Sequence, residues 1–163
     1  RQMLEQKLNV DHIVVASGSG GTQAGLVVGA RAVHYEGRVL GISVSHRAEA
    51  LQRTILDLAR LTAEHLRLRL DIGPEAVLIA DDYLGDGYGV MSDPEREAIR
   101  LLARTEGLLL DPVYTGRAMA GLLDLIRRGD IAKRETVLFW HTGGAAALDA
   151  YADALLARSG QRH

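Results

Sequence analysis

Along the chain, short apolar runs alternate with longer stretches whose apolar side chains recur at helical spacing, the pattern of a parallel α/β sheet. His12-Ile13-Val14-Val15-Ala16 reads as a buried strand, and Thr22 to Tyr35 as a glycine- and alanine-rich helix able to lie close on a sheet. Glu36-Gly37-Arg38 turns the chain back into a second strand, Val39 to Val44. A long amphipathic helix from about Arg47 to Arg69 follows, in which Leu51, Ile55, Leu58 and Leu66 share one face. Ala76 to Ala80 predicts a third strand, and Asp81 to Gly89 is too polar and glycine-rich for regular structure. Ser92 and Glu95 have capping-box spacing, which predicts a helix through about Thr105 with Gly107 as its terminator. Leu108 to Leu110 reads as a short strand, broken by Asp111-Pro112. Thr115, a candidate cap, opens a helix to Arg128 that carries Met119, Leu122, Leu123 and Ile126 at helical spacing before Gly129 stops it. Val137 to Trp140 is the last strand, His141-Thr142-Gly143-Gly144 bends the chain into an alanine-rich terminal helix, and Ser159 to His163 reads as a frayed end.

No repeat, linker or low-complexity tract interrupts this alternation, so residues 1–163 form a single domain. The expected fold class is α/β, a doubly wound and mostly parallel sheet of about five strands with helices on both faces. In such sheets ligands bind outside the carboxyl ends of the strands, which directs attention to the loops after Ala16, Ala80, Leu110 and Trp140.

Composition narrows the classes. With 47% hydrophobic and 25% charged residues over 163 positions, the chain is rich enough in apolar side chains to build an ordinary core. A net charge of -2 gives no electrostatic reason to expect nucleic acid or anionic lipid as a partner, and no apolar run reaches the length of a membrane span. The absence of cysteine excludes disulfides, thiolate metal sites and a cysteine nucleophile, and makes the cytoplasm the default expectation. No metal-ligand spacing is present. The chain opens at Arg1, with neither an initiator methionine nor a segment resembling a secretory signal, so a piece of a longer protein is expected.

Ser17-Gly18-Ser19-Gly20-Gly21-Thr22-Gln23-Ala24-Gly25 joins a strand to a helix. Its small residues let backbone N–H groups converge at the helix N-terminus, where the helix dipole adds partial positive charge. The Ser19 and Thr22 hydroxyls are further donors for phosphate oxygens. A Walker loop is excluded by the missing lysine, and a dinucleotide fingerprint fails at Gln23. The plain alternative is a tight turn that uses glycine for packing alone. His141-Thr142-Gly143-Gly144 places a hydroxyl and an imidazole at the same sheet edge; taken alone, Thr142 reads as a helix cap sooner than a ligand contact and His141 as a structural histidine sooner than a base. Tyr114 is a candidate general acid or hydrogen-bond donor, or else a half-buried aromatic that seals its loop, and Tyr88 in the glycine-rich loop has the same two readings.

Taken in order, SGSGGTQAG (Ser17 to Gly25), GDGYG (Gly85 to Gly89), DPVYTGRAMAGL (Asp111 to Leu122) and HTGG (His141 to Gly144) resemble D-cysteine desulfhydrases and aminocyclopropane-carboxylate deaminases. These are pyridoxal-phosphate enzymes of the tryptophan-synthase-β-like fold, and the resemblance runs from about His12 to Leu156. It implies that Ser19, Gly20, Gly21 and Thr22 hold the cofactor phosphate, that the Thr142 hydroxyl meets the pyridine nitrogen, and that Tyr114 and Tyr88 stand beside a small amino-acid substrate. The deaminases resembled usually carry glutamate after the tyrosine matching Tyr114 and leucine before the terminal glycine pair. Thr115 and Thr142 follow the desulfhydrase pattern instead, which implies α,β-elimination from D-cysteine to pyruvate, ammonia and sulfide. Related sulfur, chlorinated or sulfonate-bearing amino acids, ring opening of aminocyclopropane-carboxylate, and a phosphate-binding module without chemistry are the alternatives. The family also implies a homodimer.

The largest departure from the family is its Schiff-base lysine. This chain has only Lys7, in the polar segment Glu5-Gln6-Lys7, and Lys133, in the charged segment Lys133-Arg134-Glu135. Both read as solvated surface residues. The expectation is therefore that residues 1–163 are the C-terminal half of a larger enzyme, that the lysine and the small domain belong to an N-terminal portion, and that the isolated chain is inactive.

Overall fold

The computed structural model describes residues 2–157; the expected frayed end at 159–163 lies outside them. A short helix α1 (Gln2–Glu5) leads into β1 (His12–Ser17), α2 (Gly21–Ala32), β2 (Arg38–Ser43), α3 (Ala48–His65), β3 (Leu78–Ala80), α4 (Asp93–Thr105), α5 (Thr115–Arg128), β4 (Val137–Trp140) and α6 (Ala152–Leu156). The sheet is parallel throughout, in the order β3-β2-β1-β4, with Ile13 facing Val39 and Leu138 in register. No helix among the described residues is long and apolar enough to cross a membrane.

Strand alternation divides the core in two. Ile13 and Val39 join Val27, Leu51 and Ile55 on the face covered by α2 and α3, whereas Val14 and Ile42 join Ile99, Met119 and Leu122 on the face covered by α4 and α5. Helices therefore lie on both faces, as the alternating pattern predicts.

Four strands form where about five are expected. Residues 108–110 are not a strand: Leu110 is buried, Leu108 and Leu109 are exposed. A ladder could not run on past them, because the Leu108 N–H turns back to the Leu102 carbonyl, the Asp111 N–H donates to the Thr115 hydroxyl and Pro112 has no N–H. An apolar triplet signals burial, and only one of its three leucines is needed to supply it. The third strand is likewise shorter than expected, since Pro74–Ala76 is a 3-10 turn.

Both α2 and α3 stop before their hydrophobic spacing does. At the end of α3 the Leu68 N–H bonds to the Ala63 carbonyl and the Arg67 N–H to that of Glu64, with Arg67 left-handed at φ 56°. At the end of α2 the Tyr35 N–H bonds to the Ala30 carbonyl and the His34 N–H to that of Arg31, with His34 at φ 53°. Each is a Schellman closure built without glycine, and so it leaves no mark of the usual kind in the sequence. Leu66 consequently lies beyond α3 and is exposed, apart from the face of Leu51, Ile55 and Leu58; Ile126, near the end of α5, is exposed as well. The alanine-rich terminal segment begins as a 3-10 turn, Ala145–Tyr151, before α6.

Candidate active site

The carboxyl ends of β1 and β4 are neighbours, so the loops that leave them emerge side by side. Between them lies a cleft of about 390 Å³. Ser19, Gly20, Gly21 and Thr22 line one side, Thr142 another, and Tyr114 a third. Three motifs far apart in sequence thus reach one concavity. Tyr88 is not among the lining residues; it stands against Tyr114, the two hydroxyls hydrogen-bonded and the rings edge to face with centroids 5.9 Å apart.

The first amides of α2 have no carbonyl of their own helix to bond, and they open onto this cleft. Gly20 has a packing explanation: its φ is 86°, and a Cβ there would fall 2.5 Å from Ile55 Cγ1. Gly21 has none, since an added Cβ would meet nothing within 4 Å and the residue is in the helix. What glycine leaves there is open space beside the amides, which suits a close anion better than a packed turn. Neither Ser19 nor Thr22 caps α2 by a side-chain bond, and their hydroxyls have no partner among the described residues.

Thr142 is free in the same sense. It is not a helix cap, because the following 3-10 turn starts at Ala145 with Gly144 before it. His141 takes the structural role: its Nδ1 accepts from the Gly143 N–H at 3.0 Å, which leaves Nε2 to donate to the Leu109 carbonyl at 3.0 Å. Its bonds hold the turn that presents Thr142.

Asp111 completes the wall and was not singled out by its spacing. Its side chain is almost fully buried; Oδ1 accepts from the Thr115 N–H and hydroxyl and Oδ2 from the N–H groups of Val113 and Tyr114, all at 2.8 Å. Thr115 is therefore not the helix cap; the carboxylate ahead of the helix takes that role and fixes the backbone under Tyr114. A Cβ on Gly144 would lie 2.6 Å from Asp111 Cγ, so the His141 to Gly144 turn rests directly on this carboxylate.

Deeper still, Gln23 is completely buried. It accepts from the Ser17 hydroxyl at 2.7 Å and donates to the Leu78 carbonyl at 2.8 Å, tying β1, α2 and β3 together beneath the anion loop. Gly41 leaves the room for it, since a Cβ there would sit 1.9 Å from Gln23 Oε1.

The hydrogen bond to Tyr88, with some burial and the charge of Asp111 behind it, holds the Tyr114 phenol above its ordinary pKa of 10.0. Tyr114 is thus a protonated donor at neutral pH. Neither lysine lines the cleft, and both are exposed. The set is an anion cradle, a neutral hydroxyl opposite it and a phenol at the side: a place for a phosphorylated ring, with the amine nucleophile missing.

Comparison with known proteins identifies the family. The family model for the pyridoxal-phosphate dependent enzymes matches residues 1–143. A solved structure described as "the ACC deaminase homologue" superposes with a TM-score of 0.79 at 38% identity, over 90% of this chain and 43% of that chain. The chain thus spans less than half the length of that protein. Matched over most of its residues and in its fold, it belongs to the pyridoxal-phosphate dependent enzymes.

Proposed function

We propose that this chain is the cofactor-phosphate and ring-nitrogen half of a lyase resembling D-cysteine desulfhydrase, which with water converts D-cysteine to pyruvate, ammonia and hydrogen sulfide. The observation that carries the reading is the convergence of Ser19, Thr22, Thr142 and Tyr114 on one cleft. When bound, pyridoxal phosphate supplies an electron sink for charge developing at the substrate Cα.

The chain's own residues do the rest. The α2 amides with the Ser19 and Thr22 hydroxyls hold the phosphate. Thr142 offers the ring nitrogen a neutral hydroxyl, which does not enforce its protonation as a carboxylate does, and this moderation favours loss of a β-substituent. Tyr114 keeps its proton on the phenol oxygen and can give it to a departing sulfur, with Tyr88 as its hydrogen-bond partner. The lysine that binds the cofactor and moves the α-proton comes from another part of the protein, and a second copy of the enzyme completes a homodimer in the cytoplasm.

Ring opening of aminocyclopropane-carboxylate is the second reading, favoured by the description of the similar solved structure. Thr115 weighs against it. Its side chain is fully buried on Asp111 Oδ1, a position where the deaminase glutamate would set one carboxylate against another. Incubating the full-length protein separately with D-cysteine and aminocyclopropane-carboxylate distinguishes the two: pyruvate with sulfide supports the desulfhydrase reading, 2-oxobutyrate the other. If neither keto acid is released, the related sulfur, chlorinated or sulfonate-bearing amino acids and the phosphate-binding module without chemistry are left.

A further inference from the structure

Arg117, on the first turn of α5, is fully buried, and the functional reading above gives it no role. Its Nε donates to Glu95 Oε1 at 2.8 Å, while Nη1 donates to the carbonyls of Gly87 at 3.1 Å and Val44 at 3.2 Å and Nη2 to that of Val90 at 2.7 Å. Only Glu95 belongs to a helix. The other acceptors are peptide carbonyls, one just after β2 at Val44 and two in the glycine-rich loop, Gly87 immediately before Tyr88 and Val90 two residues after it.

The loop that carries Gly87 and Val90 has few other side-chain bonds to hold it. Gly85, Gly87 and Gly89 all take left-handed φ values, and the Tyr88 and Val90 side chains are exposed. Tyr151 adds one bond from the C-terminal segment, its hydroxyl donating to the Gly89 carbonyl at 2.6 Å. Packing of α4 on α5 does not require a buried guanidinium, because Ala98, Ile99, Ala118 and Leu122 already fill that interface. A buried charge pair is a poor way to gain stability where apolar side chains fit. It is a good way to hold several carbonyls in one fixed arrangement, since the planar fork aims its donors in set directions.

We infer that Arg117 is a positioning residue for Tyr88: its buried guanidinium grips the Gly87 carbonyl just before Tyr88 and the Val90 carbonyl two residues after it, and so fixes where the Tyr88 hydroxyl meets Tyr114. The inference rests on the proposed role of Tyr88 beside the substrate. Glu95 aims the guanidinium, and Ser92 aims Glu95 through the capping box, so the start of α4 and the loop before it are one unit.

The test is a double-mutant cycle of Arg117→Lys and Tyr88→Phe in the full-length holoenzyme, with amide hydrogen exchange on the same samples. Lysine keeps the charge and loses the fork. Arg117→Lys is expected to lower kcat by about tenfold to a hundredfold, the size of effect a misplaced group produces, with KM changed less than about twofold. Amides 85–90 are expected to exchange faster while those of β1 stay protected. With phenylalanine at 88, the same lysine substitution is expected to change kcat less than about twofold. Equal losses in both backgrounds, or unaltered exchange in the loop, overturn the inference. If Tyr88→Phe alone leaves turnover intact, it is the role of Tyr88 that fails; this is distinguished because Arg117→Lys still speeds loop exchange. Should Arg117→Lys not fold, Glu95→Gln replaces it, leaving the guanidinium in place but unaimed, with the same signs expected.

Discussion

The Tyr88 and Tyr114 hydroxyls share a hydrogen bond beside the cleft, with the rings at 77° to one another. One phenol comes from the loop after β3 and the other from the turn before α5, so their meeting couples two segments that no strand pairing joins. The bond also keeps the Tyr114 proton in place. With Tyr88→Phe the Tyr114 pKa falls back toward its ordinary value, so the alkaline limb of kcat/KM moves to lower pH. A pH–rate profile of the full-length enzyme reads this directly, and a limb that stays in place assigns it to another group.

Tyr114→Phe separates chemistry from binding. Loss of a positioned proton donor is expected to lower kcat by about a hundredfold or more, with cofactor retention changed less than about twofold. Steady-state kinetics with cofactor content measured after gel filtration checks both, and intact turnover reduces Tyr114 to a packing residue.

Thr22→Val tests the anion cradle. A hydroxyl bonded to a charged phosphate oxygen is worth about 1.5 kcal/mol or more, so the cofactor is expected to dissociate at least about tenfold more readily. Equilibrium dialysis of the full-length protein against limiting pyridoxal phosphate gives the number. Retention equal to that of the unaltered protein would leave Thr22 as a residue of the helix start and nothing more.

Glu95 makes acid stability informative. Burial pushes its carboxyl up, but hydrogen bonds from Ser92, Arg117 and its own backbone outweigh this and hold the pKa below 4.5. A carboxylate with a depressed folded pKa stabilises the fold above its ordinary value and loses that contribution as pH falls through the folded value. Glu95→Gln is expected to cost more than about 1 kcal/mol at pH 7, because it leaves the buried Arg117 charge without its counter-charge. It also flattens the fall in stability below pH 4.5, as urea titrations at several pH values will show.

Gly144→Ala carries two penalties, a φ of 102° and a Cβ 2.6 Å from Asp111 Cγ. A loss of more than about 1 kcal/mol is expected, together with faster proteolysis around residues 141–144. Unchanged stability would mean that the turn can move off Asp111.

Much of this was legible before any coordinates. The apolar runs of β1, β2 and β4, the capping box of α4 and the Gly129 stop of α5 are encoded locally, and each glycine-rich loop follows a strand and precedes a helix or turn. The residues that converge on the cleft also carried their own signals, as hydroxyls or phenols in glycine-rich settings. What the sequence concealed is of another kind. Asp111 looked like part of a break, because its partners become visible only when the backbone folds back on the side chain. Arg117 carries no sign of its burial in the sequence, because its acceptors are carbonyls that have no residue type to announce them. Leu108 to Leu110 misled in the opposite direction, apolar enough for a strand yet bounded by a Leu108 N–H turned back to α4 and an Asp111 N–H bonded to Thr115.

Gln23 gives the anion loop a thermodynamic property. With its amide spanning Ser17 and the Leu78 carbonyl, and Gly41 leaving no slack around it, the entry to α2 is already immobile before a phosphate arrives. Ordering a loop on binding costs free energy that is subtracted from affinity, and here that deduction has been made during folding. On the proposed reading, retention of the cofactor depends on the stability of the sheet: variants that loosen β3 should release it sooner.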